Sequence, residues 1–246
     1  MLDDLRRWTR HQPTVLLANS VTSNYKSVRA VVFDAVGTLI YPDPPAAVAY
    51  HQLGRAFGSQ LTQDTVSQNF RLVLKQHAYE PRTNENIERE RWRRIVANVF
   101  TDLDDTETLF HQLWEHFANA MSWAVYDDVL GVFAQLESRG VAIAIGSNFD
   151  DRLIAIAERL PPLRFARQIF VSSKLECTKP SVDFFRSIEG TLRLSPEQLL
   201  MVGDDLQNDF GGARSAGWHS LWLDRASSTN AVDCIRTLGD IIPRFA

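Results

Sequence analysis

The chain is poor in the features that would announce a specialised class. Only two cysteines, Cys177 and Cys234, occur in 246 residues. That is too few for a disulfide framework, and their spacing fits no metal site, so both read as plain thiols in a reducing compartment. No apolar run approaches the ~20 residues a membrane helix requires. The brief apolar run Val15–Ala18 is too short for a signal-peptide core, so a cytoplasmic protein without a membrane partner is expected. Positive charge is not in excess: the formal net charge is -4, which argues against nucleic acid as a partner. What remains is ordinary globular composition, 45% hydrophobic and 23% charged. The length suits one large domain, or a core domain with a smaller one.

The stretch Arg29–Tyr41 organises the rest. Ala30 to Phe33 is a short continuous apolar run, the pattern of a strand buried on both faces. Asp34 follows at its carboxyl end, and Gly37 permits a sharp turn just beyond. A carboxylate so placed can attack an electrophile or hold a cation; equally, an Asp can simply start a turn.

Residues 1–27 read as an extension, with a short helix over Leu2–Arg10 and a polar linker over Asn19–Lys26. Pro42-Asp-Pro-Pro45 breaks the chain after Tyr41. Residues 42–121 then read as four helices, over Val48–Phe57, Thr62–Ala78 (N-capped by Thr62), Thr83–Phe100 and Thr106–Met121, forming a small bundle. Arg89, Arg91, Arg93 and Arg94 crowd the third helix. Glu85 with Arg89 and Glu90 with Arg94 can pair one turn apart, so a solvated salt-bridged face outweighs a substrate-anion clamp. From residue 122 the pattern alternates. Strands are expected at Val141–Ile145, Gln168–Val171, Leu199–Val202 and Ser220–Leu223. Helices run from Asp127 or Asp128 to Arg139, from Asp150 or Asp151 to Leu160, from Lys179-Pro180 onward, over Asn208–Ala216, and through most of the tail from Ala231. Alternation of this kind implies a doubly wound parallel α/β sheet. Its strand ends would carry Asp34, Ser147 and Asp204, with Lys179 nearby. Two carboxylates close together repel unless a cation lies between them, and hard oxygen ligands suit Mg²⁺. A lysine and a hydroxyl can hold phosphate oxygens.

In this order the residues resemble the four motifs of the haloacid dehalogenase superfamily: Asp34-Ala-Val-Gly-Thr38, then Ser147, then Lys179-Pro180, then Gly203-Asp204 with Asp209. The wording Phe33-Asp-Ala-Val-Gly-Thr-Leu39 with Ser147-Asn-Phe-Asp150 is closest to the "rhythmically expressed gene 2"-type branch. The resemblance implies a Rossmann-like core over residues 28–41 and 122–246, and a helical cap over 42–121. It implies Asp34 as nucleophile and metal ligand, with the Val36 carbonyl and Asp204 as further ligands of Mg²⁺ and Asp209 in support. Ser147 would bind the phosphoryl group, helped by backbone amides of Ala35 and Asn148, and Lys179 would bridge nucleophile and phosphate. The partner would be a small phosphorylated molecule whose identity, like the oligomeric state, no motif discloses. The cap would hinge near Pro42–Pro45 and Ser122–Val125.

One position departs from the resemblance. Phosphatases of the superfamily carry a second Asp two residues after the nucleophile, as general acid and base, and here it is Val36. Three functions stay open: a Mg²⁺-dependent phosphohydrolase through an aspartyl-phosphate, a 2-haloacid dehalogenase, and a weak or inactive binding protein on the same scaffold. Retention of Asp204 and Asp209 argues against the second, and retention of Asp34, Ser147 and Lys179 against the third.

Overall fold

A computed structural model describes residues 25–77, 80–226 and 231–245. The helix expected over Leu2–Arg10, and nearly all of the expected extension, lie outside the described residues. Six strands form one parallel sheet: β1 (Ala30–Phe33), β4 (Ala142–Ser147), β5 (Gln168–Val171), β6 (Leu199–Gly203), β7 (His219–Leu223) and β8 (Cys234–Ile235). Their order is β5-β4-β1-β6-β7-β8. β1 is therefore central, and the chain winds outward to either side of it. The strand order reverses between β1 and β6, and in open α/β sheets ligands bind in the crevice at that point.

Residue parity divides the core. Val31 and Phe33, with Ile143, Ile145, Leu200 and Val202, face one layer. It is made by α5 (Asp128–Ser138), α6 (Arg152–Arg159) and the tail residues Leu238, Ile241 and Ile242. Ala30 and Val32, with Ala144, Leu199 and Met201, face the other, where α8 (Val182–Leu192) supplies Phe184, Phe185 and Ile188. Both faces are covered, which is why these strands read as continuous apolar runs.

Between β1 and β4 the chain makes an antiparallel ribbon of β2 (Ile40–Pro42) and β3 (Trp123–Val125). The ribbon brackets four helices: α1 (Ala46–Ala56), α2 (Gln63–Gln76), α3 (Glu85–Val99) and α4 (Glu107–Ala118). These enclose their own apolar cluster, including Tyr50, Val66, Ile95, Val99, Phe110 and Leu113. Thr62 caps α2 as expected, its hydroxyl accepting from the Thr65 amide at 3.2 Å. Arg94 pairs with Glu90 at 3.2 Å, and Arg93 with Glu90 and Glu107, so the arginine face of α3 is salt-bridged. Glu85 turns away from Arg89 toward the core, and Arg89 lies over the Trp114 ring instead.

Several local expectations change. Pro180 does not open a helix: α8 begins at Val182, where the Ser181 hydroxyl accepts from the Asp183 amide, and the Lys179–Pro180 bond is cis. Asn208–Ala216 is a π-helical turn over Leu206–Gly211 running into the short helix α9 (Gly212–Ser215). The tail adds β8 before turning helical, and the one-turn helix α7 (Ser172–Leu175) follows β5 directly. Like the unforeseen ribbon strands β2 and β3, these elements are two to four residues long, too short to show a period.

Candidate active site at the carboxyl edge of the sheet

Asp34, Ser147 and Asp204 stand at the ends of central strands, Asp209 follows in the turn after β6, and Lys179 stands in the loop before α8. Asp34 follows β1, and its amide donates to the Val202 carbonyl at 2.9 Å, extending the pairing with β6 by one residue. The loop then closes tightly. The amides of Leu39 and Ile40 both donate to the Ala35 carbonyl, and that of Gly37 to the Ile40 carbonyl. Gly37 has φ +91°, and a Cβ there would run into the Asp204 carboxylate. Glycine is thus required for both conformation and space.

Ser147, the last residue of β4, donates its hydroxyl to Asp34 Oδ1 at 3.0 Å. The Lys179 ammonium, 2% exposed, reaches the same oxygen at 2.6 Å, Asp209 Oδ1 at 2.6 Å and the Gly146 carbonyl at 2.9 Å. Asp209 is held at its other oxygen by the Asp205 amide, 3.0 Å away. A Cβ at residue 203 would strike that carboxylate, so Gly203 is the space Asp209 occupies. Asp205 itself caps the following turn, accepting from the amides of Gln207 and Asn208 at 2.8 Å.

Carboxylate oxygens of Asp34, Asp204 and Asp209 lie within 4.8 Å of one another. Three carboxylates against one ammonium leave two negative charges uncompensated at a largely buried point. Burial pushes the Asp209 carboxyl up to about 7, with Asp34 adding to the rise and Lys179 opposing it. Asp204 keeps an open outer edge, yet the protein around its carboxyl, then Asp34 and Asp209, hold it well above the usual carboxylate range. Burial alone would lower Lys179, but Asp209 and Asp34 outweigh it and hold the ammonium protonated. A hard divalent cation fits this donor set, because it supplies the missing charge to oxygen ligands. Asp34 and Asp204 are free to ligate it directly. Asp209 already spends one oxygen on Lys179 and the other on an amide, so it fits support better than direct ligation.

The structure thus brings Asp34, Ser147, Lys179, Asp204 and Asp209 together. Ala35 and Val36 open the loop beside Asp34, with Val36 half-buried against the apolar layer. The Asn148 side chain has a part of its own, on which the sequence made no expectation. Its amide nitrogen donates to the Lys179 carbonyl at 2.9 Å, and its carbonyl accepts the Lys179 amide at 2.8 Å. Sequence reasoning missed Thr38 and Trp222. The Thr38 hydroxyl donates to Asp204 Oδ1 at 3.3 Å, and the Trp222 indole to the Asp204 carbonyl at 3.0 Å. Thr38 stood inside the first motif, which was the available signal; Trp222 had none, since its role depends on β7 lying beside β6.

Over residues 28–217 the sequence matches the haloacid dehalogenase-like hydrolases. The chain belongs to that family. Among curated relatives of this hydrolase, the Xenopus laevis "haloacid dehalogenase-like hydrolase domain-containing protein 3" is 25% identical over 209 residues, covering 80% of this chain and 84% of the frog protein. The Drosophila melanogaster "rhythmically expressed gene 2 protein", the branch suggested by the motif wording, is 22% identical over 218 residues, covering 81% and 84%. Among solved structures, that of the putative HAD-hydrolase YfnB from Bacillus subtilis, bound to magnesium, superposes with a TM-score of 0.72 at 18% identity. It covers 89% of this chain and 98% of that one, and it supports the fold. No helix among the described residues is long and apolar enough to cross a membrane.

Proposed function

We propose that this hydrolase is a Mg²⁺-dependent phosphohydrolase working through an aspartyl-phosphate on Asp34, with a small phosphorylated molecule as substrate. The observation that carries the reading is the set of bonds on Asp34. One carboxylate oxygen takes both the Ser147 hydroxyl and the Lys179 ammonium, while two further carboxylates stand within 4.8 Å. Bound between Asp34 and Asp204, with the Val36 carbonyl completing the protein ligands, Mg²⁺ would supply positive charge to the phosphoryl oxygens.

The remaining chemistry belongs to the chain. The Asp34 carboxylate attacks phosphorus, and the bond to the leaving oxygen breaks with its electron pair on that oxygen. Ser147, with the amides of Ala35 and Asn148, orients the phosphoryl oxygens, and Lys179 offsets the charge on the transferring group. Water then attacks the phosphoryl group, releasing phosphate and restoring the carboxylate. Val36 offers no proton to the leaving oxygen, so groups that depart readily as anions are favoured. The helical region acts as a lid over the strand ends, turning on the β2–β3 ribbon, and the interdomain movement described for YfnB supports such a motion.

A dehalogenase would also do without an acid at residue 36, since halide leaves without a proton. It would have no use for the two negative charges left uncompensated among Asp34, Asp204 and Asp209, which is why the phosphate reading is preferred. The test is a panel of phosphate esters, acyl phosphates and 2-haloacids assayed with Mg²⁺ and with excess chelator. Hydrolysis of acyl and aryl phosphates, lost in chelator, is expected; haloacid turnover that persists in chelator would overturn the reading.

A further inference from the structure

Lys179 is gripped from two directions. Its ammonium meets Asp34 and Asp209, and Asn148 holds its own amide and carbonyl from the core side. The residue before it, Thr178, is held by the helical region. Thr178 is 1% exposed. Its hydroxyl donates to the Glu80 carbonyl at 2.7 Å and its amide to the Pro81 carbonyl at 3.2 Å. The Thr83 amide returns a bond to the Glu176 carbonyl at 3.5 Å. Residues 80–83 of the α2–α3 connection therefore lie alongside residues 176–178 of the core. A second tie follows at the start of α3, where Glu85 accepts from the Ser173 hydroxyl at 2.5 Å and from the Asp151 amide at 3.1 Å. The Arg82–Asp183 pair at 3.5 Å is exposed on both sides and adds little.

These ties are distinct from the β2–β3 ribbon through which the helical region is covalently joined to the core. A lid that swings on the ribbon must make and break them. When they are made, the backbone at residue 178 is fixed from the lid and that at residue 179 from Asn148. We propose that residues 80–83, just ahead of α3, form a latch that couples lid closure to the placement of Lys179, with Thr178 as the positioning residue. The inference rests on the proposed function in two respects: the helical region turns on the ribbon as a lid, and Lys179 acts at the transferring group. Chemistry then waits for closure: with the latch open, the lysine segment loses its lid-side support and the ammonium loses its fixed place between the carboxylates.

The test uses Thr178→Val, which keeps shape and removes the hydroxyl, and Thr178→Ser, which restores it. Turnover of p-nitrophenyl phosphate is measured with saturating Mg²⁺. Amide hydrogen exchange is followed over residues 80–86 and 176–182, with and without Mg²⁺ and orthovanadate. Since small misplacements of a catalytic group cost up to about 10²-fold, Thr178→Val is expected to lose about tenfold in kcat. Its KM and melting temperature should stay near wild type, and Thr178→Ser should regain most of the rate. In the wild type, Mg²⁺ with orthovanadate should slow exchange in both segments together, and in Thr178→Val it should fail to do so. A Thr178→Val protein with wild-type kcat, or one that loses stability, KM and kcat alike without rescue by Ser, would overturn the latch. A wild type that hydrolyses no phosphate sinks the phosphohydrolase reading alone. The exchange data then decide: joint protection upholds the latch, and independent behaviour of the two segments overturns it.

Discussion

Val36 sits two residues beyond Asp34 and packs half-buried against the apolar layer built by α5 and α6. A carboxyl group at that point could donate a proton to a leaving oxygen, a service worth about 10²–10⁴-fold in general acid catalysis. Wild-type rates should therefore fall steeply as the leaving group becomes more basic. Val36→Asp is expected to speed alkyl phosphate hydrolysis far more than aryl phosphate hydrolysis. Its neighbours would cost it about 1–3 kcal/mol of stability, because a carboxyl replaces an apolar contact. Rates across a leaving-group series, read beside the melting temperature, check both parts; a stable variant with an unchanged slope would contradict the role assigned to residue 36. Asp209 gives a second expectation. Its folded value of about 7 lies above the ordinary 3.8, so between those values the native state holds a proton that the unfolded chain has lost. Stability should then fall as pH rises through this interval. Asp204, also raised, adds in the same direction. His116, lowered from 6.5 by burial, opposes them only below about that value. Between pH 6.5 and 7.5 the metal-free protein should melt lower as pH rises, and Mg²⁺ should flatten the trend by replacing the proton. A melting temperature that climbs with pH in chelator would contradict this charge accounting.

At the scale of elements, legibility followed burial. β1, β4 and β6 are covered on both faces and β5 and β7 carry buried apolar residues, so their apolar runs stood out, and Asp34, Ser147 and Asp204 followed at the ends of β1, β4 and β6. The four helices between β2 and β3 were legible too, from helical spacing such as Ile95, Val96 and Val99. What the sequence hid was whatever depends on a distant partner. β8 is two residues long and exists because β7 lies beside it. Asp127 and Asp128 were both plausible caps for α5, yet neither caps it by side chain: Asp128 instead takes Arg225 at 2.8 Å and the Leu238 amide at 2.9 Å. Glu85 looked like half of an intrahelical pair and serves as a tie to the core. In the site itself, Asp34, Ser147, Lys179, Asp204 and Asp209 were readable from motif order, whereas the clamp of Asn148 on Lys179 needs two loops 31 residues apart to meet.

The whole molecule places one carboxylate at the centre of a sheet, where the strand order reverses, and then arranges supports around it from both directions. Ser147 comes from the β4 side, Asp204 and Asp209 from the β6 side, and Lys179 from the loop before α8. The helical region joins the core by the β2–β3 ribbon and touches it again at the α2–α3 connection and where Arg152 stacks on Trp114, 3.5 Å from the ring centroid. Such an arrangement makes sense if Asp34 is the nucleophile of a covalent step, its carboxylate oxygen accepting the transferred group while the site limits access of water. The most direct test is rapid acid quench during turnover of acetyl phosphate with Mg²⁺, followed by peptide mass spectrometry. One phosphoryl group is expected on the peptide carrying Asp34, absent in Asp34→Asn and absent in excess chelator. Turnover with the phosphoryl group on another side chain, or undiminished turnover by a folded Asp34→Asn protein, would contradict it.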